Sequence, residues 1–193
     1  MFVTLEGLDG VGKSTQARLL AERLRAVGQE VVECREPGGT PLGERVRALL
    51  LERGSWSVSD RAETLLFAAS RAQLVAEVVR PALARGAWVV CDRYLDSSVA
   101  YQGAGRGLGV EAVRAASIFA VDGLLPARTV LLVGAVRAAA VADRIEAEDA
   151  SFHAAVDRGF RAAAADDPGR FRIVDADGTI EAVAARVWAA VGA

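Results

Sequence analysis

Gly7-Leu8-Asp9-Gly10-Val11-Gly12-Lys13-Ser14, followed by Thr15, is the stretch on which the fold turns. It follows the pattern of a glycine, four residues, then Gly-Lys-Ser. Its surroundings fit as well, since the apolar run Phe2 to Glu6 precedes it and an amphipathic stretch from Ser14 to Ala26 follows. Gly7, Gly10 and Gly12 let the backbone turn tightly around Val11 and aim its N–H groups at phosphate oxygens. The start of the helix, from Ser14 into Thr15, adds a favourable dipole. Lys13 supplies a compact, flexible cation for the β- and γ-phosphates, and Ser14 a hydroxyl for a Mg2+ ion. A chance glycine-rich turn needs neither the strand before nor the helix after. The stretch predicts a nucleoside triphosphate cradle between a buried strand and a helix.

Composition sharpens that reading. Of 23 basic residues only Lys13 is lysine, and asparagine is absent, so the one lysine retained sits where a planar guanidinium would not fit. The net charge of −2 gives no basic field for nucleic acid, and no apolar run reaches the ~20 residues that span a bilayer. With 193 residues, just over half of them apolar, one compact domain with a proper core is expected over 1–193. The N-terminus shows no signal-peptide pattern, so a cytoplasmic location is read. Cys34 and Cys91 lie in apolar runs and read as buried small hydrophobes in a reducing compartment. His153 reads as a surface or half-buried helix residue.

Working outward, strands are predicted at Phe2 to Glu6, Glu30 to Cys34, Trp88 to Cys91, Thr129 to Val133 and Phe171 to Val174. Helices are predicted at Ser14 to Ala26, Leu42 to Glu52 and Ile180 to Val191. A long one from an Asp60 cap runs towards Leu83, with Pro81 kinking or restarting it and Gly86 ending it. Alternation of strands with helices points to an α/β fold, a five-stranded parallel sheet with helices on both faces. The missing asparagine removes the guanine-reading motif of switch GTPases, and a motor would need a larger chain. A small phosphotransferase remains.

Six further blocks give this specificity: Leu5-Glu6-Gly7-Leu8-Asp9-Gly10, Arg35-Glu36-Pro37-Gly38-Gly39-Thr40, Leu66-Phe67-Ala68-Ala69-Ser70-Arg71, the run Asp92-Arg93-Tyr94-Leu95-Asp96-Ser97-Ser98-Val99-Ala100-Tyr101-Gln102-Gly103, Gly105-Arg106-Gly107, and Asp143-Arg144-Ile145-Glu146. In this order they resemble the bacterial thymidylate kinase family, from Phe2 to about Ala127 and again from Asp143 onward. The resemblance implies a P-loop fold of the nucleoside monophosphate kinase type, ATP as phosphate donor, Mg2+, dTMP as acceptor and an isologous homodimer. It further implies that Asp9 accepts a hydrogen bond from the sugar 3′-OH, where a carboxylate that only stabilises the turn is the plainer alternative. Asp92 would reach Mg2+ through water, and Arg93 would hold the acceptor phosphate; a strand-end ion pair is the plainer reading of these two. Arg47 either adds a second grip on that phosphate or is a solvated helix arginine, and Glu36 orients the arginines of the acceptor site.

Phe67 and Arg71 are four apart and so share a helix face. By the resemblance, Phe67 stacks on the pyrimidine and Arg71 donates to thymine O4, where cytosine presents an amino group instead. Ser98 and Gln102 are expected at the other base edge and Tyr101 beneath the sugar. Gly103 to Gly109 reads as a mobile rim loop with Arg106 exposed.

The pattern breaks between Leu132 and Asp143, where a basic lid is expected and Arg137 is the one arginine. The lid near 134–146 therefore reads as shortened, with Arg144 left to supply transition-state charge. A genuinely short lid, a nucleotide-binding protein with lost turnover, and a segment lacking from the sequence as written all remain open. An intact mass well above 20.2 kDa would single out the third. A related kinase with another nucleotide acceptor is the remaining alternative.

Overall fold

The computed structural model of the protein describes residues 1–52, 57–136 and 143–192. Arg137 and the centre of the expected lid lie outside these. Five strands, β1 (Phe2–Glu6), β2 (Val31–Arg35), β3 (Trp88–Asp92), β4 (Arg128–Val133) and β5 (Phe171–Asp175), pair in parallel in the order β2-β3-β1-β4-β5. Every strand bound falls within one residue of the sequence reading. β1 is buried at all five positions, as a strand covered on both faces must be.

One face is covered by α1 (Lys13–Ala26) and α8 (Ile180–Val191). Leu20, Ala21 and Leu24 of the first and Val183, Val187 and Val191 of the second pack on Val3, Leu5, Val90, Val130 and Val174. The other face carries α3 (Asp60–Leu74), α4 (Arg80–Ala84), α6 (Val110–Ala120) and α7 (Ala150–Asp166). There Leu74, Val75, Val79 and Ala82 cover Phe2, Val89 and Cys91, while Phe152, Val156 and Phe160 cover Leu131 and Phe171. Two further helices, α2 (Pro41–Leu51) and α5 (Leu95–Ser98), start at loops beyond the strand ends.

Two local expectations are corrected. The cap of α3 is Ser59, whose hydroxyl accepts from Ala62 N, because a serine one residue earlier reaches the free N–H; Asp60 instead places its charge in the first turn. The long helix divides, as expected at Pro81: a π-helical turn, Val75–Val79, follows α3, and α4 restarts at Arg80 with Pro81 in its first turn. The expected loop from Gly103 begins instead as the end of a π-helical segment, Val99–Gly105, packed on α7. Cys34 is half-buried and pairs in register with the buried Cys91.

The C-terminal ends of the adjacent strands β1 and β3 open onto a cavity of about 460 Å³. A crevice beyond the carboxyl ends of strands is where open α/β sheets bind ligands.

Candidate active site

The cradle is built by backbone. Gly7 has φ +135°, and a Cβ there would lie 2.5 Å from Leu132 O, so only glycine lets the chain leave β1 this way. Gly12, at φ 103°, is the N-terminal cap of α1, whose first residue is Lys13. Gly10, Gly12, Lys13, Ser14 and Thr15 line the cavity; Gly7 and Val11 lie behind it, Val11 with Thr15 on a smaller adjoining pocket. The Lys13 side chain is 6% exposed and donates to Leu8 O at 2.7 Å, with Asp9 3.9 Å away. Burial, aided by repulsion from Arg93, lowers its ammonium to about 8 against the pull of Asp9, Asp92 and Glu6.

Asp92 ends β3 beside this cradle. Ser14 Oγ donates to its Oδ2 at 2.5 Å, while Oδ1 is buried without a partner among the described residues. Among the described residues no group of three or more His, Cys, Asp or Glu could hold a metal. One hydroxyl and one carboxylate with a free oxygen suit a hard cation that keeps its waters and leans on phosphates.

Arg93 follows at φ +71°, a conformation that non-glycine residues adopt rarely and at some strain. It turns the guanidinium back over the cradle. Nη1 donates to Gly7 O at 3.1 Å and Ser97 Oγ at 2.9 Å; Nη2 donates to Asp9 and, at 3.1 Å, to Tyr101 Oη. Tyr101 Oη in turn donates to Asp9 Oδ2 at 2.6 Å. Burial alone would raise Asp9, but Arg93 and Lys13 hold it down at about 2. Behind this group Glu6 accepts from Tyr94 N at 2.8 Å and Ser97 Oγ at 2.5 Å, and burial with the nearby Asp96 pushes it up to about 8. Glu6 and Ser97 were not assigned roles from the sequence. A carboxylate closing an apolar strand was the available signal.

The far end of the cavity is set by α3. Arg71, 1% exposed, donates from Nε to Glu36 Oε2 at 2.6 Å and from Nη2 to Tyr94 O at 3.3 Å and Ser98 Oγ at 3.0 Å. Its Nη1 and the Glu36 Oε1 are buried with no partner among the described residues, and Arg71 stands behind the lining that Glu36 and Ser98 form. Burial pushes Glu36 up to about 7 against the pull of Arg71. Phe67, Ser98, Tyr101 and Gln102 line the wall with Glu36 and Arg47, whose Nη1 donates to Pro37 O at 3.0 Å. Phe67 is half-buried at the cavity rather than sealed in the core.

Two arginines lie off the cavity lining. Arg106 is not an exposed rim residue. It is 12% exposed and held by Glu63 and Glu148, because the π-helical segment turns it inward over Phe152. Arg144 is outside the cavity lining; it donates to Leu50 O at 2.9 Å and Glu63 at 2.6 Å. Glu63, like Glu6 and Ser97, is a residue beside the site to which no role was assigned from the sequence. It lies four residues before Phe67 on the same helix face, and that spacing was a usable signal.

A cradle for a triphosphate and a separate polar wall for a second ligand thus share one cavity. The family model described as thymidylate kinase matches residues 5–187. The thymidylate kinase of Clavibacter sepedonicus is 52% identical, over 98% of this chain and 93% of its own length. That of Rhizorhabdus wittichii is 50% identical, over 96% and 94%. The crystal structure of thymidylate kinase from Ehrlichia chaffeensis is similar with a TM-score of 0.84 at 32% identity, covering 100% of this chain and 98% of that one.

Proposed function

The chain belongs to the thymidylate kinase family, and on that premise we propose that it transfers the γ-phosphate of ATP to dTMP, giving ADP and dTDP. The observation that carries the acceptor assignment is Arg71, whose Nη1 is buried with no partner among the described residues and whose Nε and Nη2 hold Glu36 and Ser98, two residues of the cavity wall remote from the cradle. A lone donor fixed there requires an acceptor. Thymine O4 supplies one, whereas the cytosine amino group would leave two donors facing each other, at a cost of about 1–3 kcal/mol.

In this reading Phe67 stacks on the base, Ser98 and Gln102 meet its other edge, and Tyr101 lies beneath a sugar without a 2′-OH. Asp9, ionised and fixed by Arg93, takes the 3′-OH as acceptor. Lys13 and Arg93 face the phosphates from two sides and stabilise the charge spread over the transferred group, so transfer is direct and in line with no covalent enzyme intermediate. Ser14 and Asp92 would hold Mg2+, which neutralises phosphate charge when bound. Arg47, half-buried at the cavity wall, adds a second positive charge near the acceptor phosphate.

Arg144 is left out of this charge clamp, since its guanidinium is engaged with Glu63 outside the cavity. A cytoplasmic homodimer completes the reading. No helix among the described residues is long and apolar enough to cross a membrane. Leu65 on α3 and Phe119 on α6, helices that pack together, are 63% and 89% exposed, apolar surface that a second copy would cover. A coupled ADP-release assay across dTMP, dUMP, UMP, CMP and AMP tests the activity. dTMP is expected to be the best acceptor, and a higher rate with AMP or CMP overturns the assignment.

A further inference from the structure

Glu63, Phe67 and Arg71 are spaced by four along α3 and so line one face of the helix. Phe67 and Arg71 have roles in base reading, but Glu63 has none so far, although its carboxylate is fully buried. Burying a carboxylate is unfavourable unless every lone pair is used. Here they are used by three residues from two other parts of the chain. Gln102 Nε2 donates to Oε1 at 2.9 Å, Arg106 donates from Nε and Nη2 at 3.2 Å each, and Arg144 Nη2 donates to Oε2 at 2.6 Å. Arg106 is shared with Glu148 and approaches Asp60 at 3.6 Å, so both guanidiniums stay in place around one buried negative charge.

The consequence falls on Gln102. An ionised carboxylate only accepts hydrogen bonds, so the Gln102 amide must turn its NH2 towards Glu63 and its oxygen away. That oxygen, Oε1, accepts no hydrogen bond among the described residues, and Gln102 lines the cavity beside Ser98. The wall therefore presents an acceptor from Gln102 near Ser98, which Arg71 holds from behind the lining. Thymine offers the complement, a donor at N3–H beside an acceptor at O4. Cytosine offers the inverse at both atoms, an acceptor at N3 and a donor at N4.

We propose that Glu63 is the positioning residue for base selection: by holding the Gln102 amide in one orientation it makes the site choose a pyrimidine that carries a proton on N3. Glu63 touches neither substrate and acts through Gln102. Burial opposes its charge, but the hydrogen bonds from Arg106, Gln102 and Arg144 lower its pKa, which keeps it acceptor-only. The proposal rests on the assignment of a thymine nucleotide to this cavity.

The test is the ratio of kcat/KM for dTMP to that for dCMP, measured on the full chain. Glu63→Gln can donate as well as accept, so the Gln102 amide is free to flip and offer NH2 to the cytosine N3. The dTMP-to-dCMP ratio is expected to fall on the order of tenfold, the scale of one mispaired buried hydrogen bond. KM for ATP should stay unchanged, since the cradle is not touched. A purely structural role would lower both acceptors together and leave the ratio fixed, and that result overturns the proposal. Gln102→Met, which leaves Glu63 paired to two arginines, approaches the same contact from the other side and serves if Glu63→Gln does not fold. It must lower the ratio by a similar factor, and an unchanged ratio overturns the proposal equally. Wild-type preference for a non-thymine acceptor overturns the underlying assignment too. Wild-type preference for dTMP with unchanged ratios in the variants sinks this inference alone.

Discussion

The two ends of the cavity hold their charges by different means. At the cradle end one continuous stretch, Gly7 to Thr15, does most of the work, and its side chains are few. Lys13 makes one hydrogen bond to a carbonyl, and Asp92 keeps an oxygen free. At the acceptor end Glu36, Arg71, Ser98, Gln102 and Glu63 come from several elements and are locked together by buried hydrogen bonds. Lys13 and Asp92 are thus poised for ligand charge, and the bonds that hold the cradle gather on Arg93, which ties Gly7, Asp9, Ser97 and Tyr101 together. The acceptor end is part of the core, and its recognition surface is what remains after the core's own hydrogen bonds are made.

The largest effect should come from the cradle. Lys13→Ala removes a cation that acts on the transferring phosphate, so kcat is expected to fall on the order of 10³-fold. Its unfolding temperature should stay near wild type, because a desolvated charge with its pKa lowered to about 8 adds little to folding. Steady-state kinetics beside a thermal melt check both halves. A large loss of stability would erase the contrast between the ends. Next in size is Arg71→Met. It leaves Glu36 buried and uncompensated, a cost of about 3 kcal/mol or more, or about 6–12 °C for a chain of this length. Adding Glu36→Gln to it should recover part of that loss. Equal melting temperatures for the single and double variants would show that the pair does not couple.

The same contrast governs what could be read from sequence. The cradle was legible because its chemistry needs residues adjacent in the chain: glycines that turn, a lysine, a serine opening a helix. The five strands were legible because parallel strands covered on both faces read as continuous apolar runs. The acceptor end appeared only through the resemblance, since Glu36 and Arg71 are 35 residues apart and nothing local joins them. Arg106 was misplaced because a π-helical turn, which no apolar period announces, rotates it inward. Glu63 escaped because a glutamate in a first helical turn is ordinarily a solvated charge favoured by the dipole. Only packing shows it to be buried.

The smallest effect separates the two ends by pH. Asp9, at the cradle, is held down at about 2, so the stability it contributes is present above its unfolded value of 3.8 and is lost only as pH falls through about 2. Lys13, lowered to about 8 from 10.5, changes stability only between those values, where stability rises with pH. Glu36, at the acceptor end, is pushed from 4.5 up to about 7 by burial. The folded state therefore binds its proton more tightly than the unfolded state does. The stability it contributes is full below about 4.5 and is lost as pH rises through about 7. Glu6, raised to about 8, slopes the same way, so the wild-type curve alone does not isolate Glu36. Glu36→Gln cannot titrate and still accepts from Arg71. Its melting temperature relative to wild type should rise by about 4 °C between pH 5 and pH 7.5, a change worth about 1–2 kcal/mol. A constant difference across that range would mean that Glu36 stays ionised beside Arg71, and the acceptor end would then hold its carboxylate as the cradle holds Asp9.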